Sequence, residues 1–190
     1  MKNAITLTVA LGTICLTHLA LAQPPRLPMP TDEHKWLTKF VGHWEVTSTG
    51  TMGEGQPPVK SKGTIDSEML GGFWVTNVMT AEVAGFPFKG IQTIGYDTKI
   101  KKYVGTWIDS TNGFLWKYEG SVDESGRKLV LEAVGPDMMV PGKMRTYRDA
   151  YEFKTDDTLI TTSSVKGEDG KWTVFMNGEA KRADSDAVEE

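Results

Sequence analysis

Lys102–Val122, KYVGTWIDSTNGFLWKYEGSV, is the stretch that decides the fold. Tyr103, Gly105, Trp107 and Asp109 share one face of 102–109, and Phe114, Trp116, Tyr118 and Gly120 share one face of 113–122. Successive side chains of a strand point to opposite sides, so each half is a strand with one largely aromatic face. Ser110-Thr111-Asn112-Gly113, between them, has the short polar and glycine chemistry of a hairpin turn. The two faces therefore adjoin as a single aromatic wall with the Asp109 carboxylate near its rim.

The same grammar extends in both directions. Strand-like segments rich in β-branched and aromatic residues are expected at about 43–53, 60–70, 73–84, 87–96, 102–109, 113–122, 127–134, 143–155, 158–165 and 171–182. Asp97-Thr98-Lys99, Asp123-Glu124-Ser125-Gly126, Asp156-Asp157 and Gly167-Glu168-Asp169-Gly170 supply further tight joints. Short links join sequential neighbours, and no later helix is long enough for a parallel crossover. A sheet this wide hides its edges best by closing. The expected fold is all-β, an antiparallel up-and-down barrel of about ten strands with a short N-terminal helix. A two-sheet Greek-key sandwich is the rival, and it calls for longer connections than these.

Ahead of the strands, Thr31 and Asp32 offer N-cap oxygens, Asp32 and Glu33 suit the positive end of a helix, and Trp36, Leu37, Phe40 and Val41 form one helical stripe. A helix is expected at about 32–40, ended by Gly42. Gly42-His43-Trp44 then opens the first strand, the glycine allowing a sharp turn and the indole plugging one end of a closed barrel.

Lys2 followed by the apolar run Ala4–Ala22, closing on Ala20-Leu21-Ala22, has the form of a secretory signal over 1–22 with an A-x-A cleavage site. An uncleaved membrane anchor is the alternative, weakened by the threonines and by the small residues at the cleavage positions. Ile14 stands where a lipidated Cys15 would need a small residue. The expected product is exported, periplasmic or secreted, with no stable membrane anchor after cleavage. Prolines 24, 25, 28 and 30 make 23–30 an extended spacer, residues 31–182 form the barrel domain, and the acidic 183–190 is expected to be a disordered tail.

The hydrophobic fraction of 39% with 24% charged residues is that of an ordinary globular domain. Cys15 is the only cysteine, so the processed chain has no disulfide, thiolate nucleophile or cysteine-held metal. Losing Lys2 takes the formal charge from −4 to −5, and an acidic chain without a basic stripe is a poor partner for nucleic acid or anionic membranes.

Glu33-His34-Lys35 and Leu37, Val41-Gly42-His43-Trp44, Gly71-Gly72-Phe73-Trp74, Gly90, Gly95-Tyr96-Asp97, Lys102-Tyr103-Val104, Trp107-Ile108-Asp109-Ser110, Gly120, Glu179 and Arg182 occur in an order that resembles the bacterial domain-of-unknown-function family 1579. The resemblance spans nearly all of the processed chain. It implies a barrel similar to the calycin group, which includes lipocalins, fatty-acid-binding proteins and haem-binding nitrobindins. It also implies that Trp44 stacks on Arg182 of the last strand, with Gly42, Trp44 and Arg182 structural. Haem-binding relatives supply a late histidine as axial ligand, and this chain has none after His43; Met144 or Met176 would have to ligate the iron in its place.

The site expected from alternation is an enclosed one for a small hydrophobic or amphipathic molecule, with Trp107, Trp116 and Tyr118 as wall and Asp109 as a polar contact. In 143–155, Arg145, Tyr147, Asp149 and Tyr151 share one face and Thr146, Arg148 and Glu152 the other; either arginine can lie inside and pair with Asp109 or an acidic ligand, with Arg148 and Glu152 the pair expected at the site and a solvated surface ladder of alternating charges the alternative. Met138, Met139 and Val140, set between turn formers, form either a flexible lid over the mouth or a local plug. His34 and His43 alone make a weak metal site, so no metal and no cofactor is expected. No nucleophile constellation is present, and no catalytic residue is assigned. The enzymatic alternative is acid–base chemistry by some pair among Asp109, Glu119, Glu152 and Glu179; the third reading is a structural module with a filled barrel.

Overall fold

A computed structural model of the protein describes residues 27–51 and 57–183. The expected signal over 1–22, the first part of the spacer and the tail from 184 onward lie outside the described residues. A one-and-a-half-turn helix α1 (Asp32–Trp36) runs into a 3-10 turn (Leu37–Phe40). Ten strands follow: β1 (Gly42–Gly50), β2 (Val59–Leu70), β3 (Trp74–Val83), β4 (Phe86–Asp97), β5 (Lys102–Asp109), β6 (Asn112–Val122), β7 (Lys128–Pro136), β8 (Met144–Thr155), β9 (Thr158–Lys166) and β10 (Trp172–Ala183). Each pairs antiparallel with the next, and β1 pairs with β10, so the sheet closes into an up-and-down barrel. Closure rules out the sandwich. Ala183, expected in the tail, is the last residue of β10.

The barrel has two unlike ends. At the base, the helical segment folds under the strands and buries Leu37, Phe40 and Trp44 almost completely. The plug is fixed by directed bonds as well as by apolar area. Trp44 Nε1 donates to the Phe40 carbonyl at 2.7 Å, Trp36 Nε1 to the Gly126 carbonyl at 2.7 Å, and the Tyr103 hydroxyl to the Glu33 carbonyl at 3.0 Å. Thr31 is the N-cap, and its backbone N–H donates to His34 Nδ1 at 3.0 Å.

Register explains the Gly-x-Trp signal. Trp44 lies directly opposite Arg182, whose guanidinium carbon sits 4.1 Å from the indole centroid. The same guanidinium donates to the Val41 carbonyl, to the Lys39 carbonyl at 3.2 Å and to the Asp156 carbonyl at 2.9 Å. Gly42 has φ of +128°, and a Cβ there would lie 2.5 Å from Arg182 Nη1. Position 42 therefore needs glycine for its backbone angle and for the room it leaves Arg182.

At the opposite end, the mouth, lie the β3–β4, β5–β6, β7–β8 and β9–β10 connections. The β6–β7 ladder is the shortest of the barrel, pairing only Glu119–Val122 with Leu129–Glu132. Toward the mouth these two strands run beyond their paired stretch.

Candidate functional site

The barrel encloses a cavity of about 550 Å³. Its walls are built by the alternation of the strands: Phe114, Trp116 and Tyr118 from β6, Tyr147, Asp149 and Tyr151 from β8, and Trp107 and Asp109 from β5 all line it. Trp116 is held at edge-on contacts of 5.2 Å to Phe114 and 5.1 Å to Tyr147. It lies across Gly135 of β7, where a Cβ would come within 2.0 Å of the indole Cζ3. Only a residue without a side chain lets the ring lie flat there.

Asp109 is at the rim. Burial alone would raise its carboxyl, but hydrogen bonds from Thr111, Trp107 and Asn112 outweigh it and hold the group below the usual carboxylate range. Trp107 Nε1 donates to Asp109 Oδ2 at 2.9 Å and the Thr111 N–H to Oδ1 at 2.8 Å. The acid thus orients the indole whose face it shares.

Four of the six residues expected to meet a ligand, Trp107, Asp109, Trp116 and Tyr118, line one cavity. Arg148 and Glu152 do not. Arg148 faces outward, donating to Glu132 Oε1 at 3.0 Å from Nε and at 2.6 Å from Nη2, and stacking 3.8 Å from the Trp172 ring. Glu152 pairs with Lys154 on the same outer face. The pleat of β8 accounts for this: Tyr147, Tyr151 and Phe153 take the interior for their apolar area, so Arg148 and Glu152, which alternate with them, are directed outward. Glu119 and Glu179 are exposed as well.

What sequence reasoning passed over is the polar set inside. Asp149 is enclosed by the barrel, and the surface it retains faces the cavity. It accepts from the Tyr118 hydroxyl at 2.7 Å and from Ser163 Oγ at 2.6 Å. Burial pushes its carboxyl up, with the Ser163 and Tyr118 bonds opposing. The Tyr118 hydroxyl is raised too, first by burial and then by the neighbouring Asp149. Across the cavity, Asn77 Nδ2 donates to Gln92 Oε1 at 3.0 Å, and Gln92 Nε2 donates to the Tyr151 hydroxyl at 2.7 Å. The signal for Asp149 was present, since it sits between Tyr147 and Tyr151 in a period-two apolar face. For Asn77 and Gln92 no local signal exists.

In the β7–β8 connection, Asp137 Oδ1 accepts from the Met139 N–H at 2.8 Å and the Val140 N–H at 3.2 Å. Met138 lines the cavity while remaining 67% exposed, which places it at the mouth rather than deep in the barrel. His34 is taken up by the helix cap and His43 Nδ1 lies 2.6 Å from Asp66 Oδ1. Among the described residues, no three His, Cys, Asp or Glu side chains are grouped to hold a metal ion. Met176 lines the cavity and Met144 does not.

The fold is shared with proteins of distant sequence. The S-type phycobiliprotein lyase CPES from Guillardia theta superposes with a TM-score of 0.54 at 12% identity, over 80% of this chain and 93% of that one. Rv2717c from M. tuberculosis superposes with a TM-score of 0.59 at 11% identity, over 82% of this chain and all of the other. At this identity the likeness shows the barrel and nothing finer. No curated protein matches the chain. The family model for proteins of unknown function designated DUF1579 matches residues 29–182, and the chain belongs to that family.

Proposed function

We propose that the protein binds a small hydrophobic or amphipathic molecule inside its barrel, and that it does so after export directed by residues 1–22. The observation that carries the reading is the cavity of about 550 Å³, walled by Trp107, Phe114, Trp116, Tyr118, Tyr147 and Phe175. Ligand sites are concave, largely apolar and equipped with a few placed polar groups, and fall in this range of volume. Asp109, Asp149 and the amides of Asn77 and Gln92 are the placed polar groups here. A barrel serving only as a structural module has no use for such a void, because an empty apolar cavity costs stability.

Native mass spectrometry of the processed chain after incubation with extracted lipids and pigments tests the reading. A retained ligand, with tryptophan fluorescence that responds to its titration, supports it. A chain that keeps no molecule from any extract and shows unaltered emission overturns it.

Asp149 favours a second reading, acid–base chemistry on an enclosed ligand, because it is an interior carboxyl with its pKa pushed up. That reading requires the ligand recovered from the native chain to differ in structure, by mass or by chromatographic retention and NMR spectrum, from the ligand recovered from Asp149→Asn. Identical compounds dismiss it and leave binding untouched.

A further inference from the structure

The cavity contains an unusual inventory of polar groups. Among the described residues that line it, Asp109 and Asp149 are the only Asp, Glu, Lys, Arg or His side chains.

Ser67, Asn77 and Gln92 form a row across β2, β3 and β4: Ser67 is the direct partner of Asn77, and Asn77 of Gln92. All three are more than nine-tenths buried and all three line the cavity. Ser67 Oγ and Asn77 Oδ1 are nonetheless without a hydrogen-bond partner. At the other end of the chain, Tyr151 accepts from Gln92, which leaves its own proton to give.

The chain can also run the other way. Turning both amides by half a rotation makes Tyr151 donate to Gln92 and Gln92 to Asn77, which frees an N–H at Asn77 and a lone pair at Tyr151. In either direction the row ends in one free donor and one free acceptor. A buried polar atom left unpaired is costly, so a guest that satisfies these ends is selected over one that does not. A carboxylate finds the opposite reception: it would leave water for a space holding two acids and no cation.

We infer that the ligand is an uncharged molecule whose apolar body carries a terminal group able both to donate and to accept hydrogen bonds, an alcohol or a carboxamide. It enters with that group first and seats it on Ser67, Asn77 and Tyr151, while its body lies along Trp107 and Trp116. Free fatty acids and other carboxylates are rejected. The inference rests on the binding reading above and adds the class of guest.

The test is a titration of the full processed chain at neutral pH with four anthracenes carrying a hydroxymethyl, a carboxamide, a carboxylate or a methyl group. Energy transfer from the barrel tryptophans reads the binding. The hydroxymethyl and carboxamide compounds are expected to bind about tenfold more tightly than the methyl parent, and the carboxylate more weakly than all three. Asn77→Leu is expected to remove the preference while the methyl parent binds at least as well as before. Tyr151→Phe provides the same readout if the leucine variant does not fold. A carboxylate that binds as tightly as the carboxamide, or a preference that survives both substitutions, overturns the inference and leaves the binding reading standing. If none of the four binds, the inference falls, and the binding reading is decided separately by whether the chain retains a molecule from the lipid and pigment extracts.

Discussion

Asp149→Asn probes the barrel interior directly. The native carboxyl meets two hydroxyl donors at 2.6 and 2.7 Å and has no cation among the cavity-lining side chains. Desolvation therefore dominates, and its pKa lies above the usual carboxylate range. A native state that holds a proton more tightly than the unfolded chain gains stability from it. That gain is fully present below the unfolded carboxyl pKa of about 3.9 and is lost as pH rises through the raised folded value. A single proton sets the ceiling, about 1.4 kcal/mol per pH unit within the window. Asparagine can accept from one hydroxyl and donate to the other, so the substitution removes the titration and keeps the packing. The assay is urea unfolding of both chains in steps from about pH 4 to about pH 8, a range starting near the unfolded pKa. Groups common to both chains, Asp109 among them, cancel in the difference. The stability of the variant relative to the native chain is expected to climb with pH. A difference that is flat, or that falls, would refute the account of Asp149 as an enclosed acid without a counter-charge.

Three further outcomes are expected. Arg182→Met loses the stacking on Trp44, the bonds to three main-chain carbonyls and the exposed ion pair with Asp157, and should lower unfolding free energy by about 2–3 kcal/mol after allowance for partial exposure; a loss below about 0.5 kcal/mol, within the range of ordinary surface substitutions, would mean that Arg182 does not tie the base shut. Gly135→Ala places a methyl where the Trp116 ring lies, and should cost about 1–3 kcal/mol and alter the near-ultraviolet circular dichroism of the tryptophans; an unaltered spectrum at full stability would place Trp116 elsewhere. Arg148→Ala and Glu152→Ala, both on the outer face, should each change stability by less than about 1 kcal/mol and leave ligand affinity where it was; a loss of affinity would return them to the cavity.

Most of the architecture was legible because it is written locally. Alternation in 102–122 reports which side chains share a face, and turn residues at short intervals report that neighbours in sequence are neighbours in the sheet. The expected spans differ from the observed strands by a residue or two at most of their ends, where pairing rather than propensity sets the limit: β7 runs on to Pro136 because Pro136 is registered against Met144. Strand β8 departs from its expected orientation for a physical reason. Both of its faces carry polar groups, and the stronger constraint is that Tyr147, Tyr151 and Phe153 need the interior for their apolar area. Asp149 then came inside with them. The Ser67–Asn77–Gln92 row was invisible in advance because it exists only through the register of three strands, and Asn77 and Gln92 look like any polar residues along a strand until the pairing sets them side by side.

An even number of strands brings the chain back to the side from which it set out. Gly42, where β1 begins, and Ala183, where β10 stops, are both beside the helical plug. Whatever is tethered to this domain, in front of it or behind, is therefore attached at its stern. Immobilised by either terminus on a bead, a sensor chip or a fusion partner, the molecule keeps its opening pointed toward the solution, unobstructed by the tether.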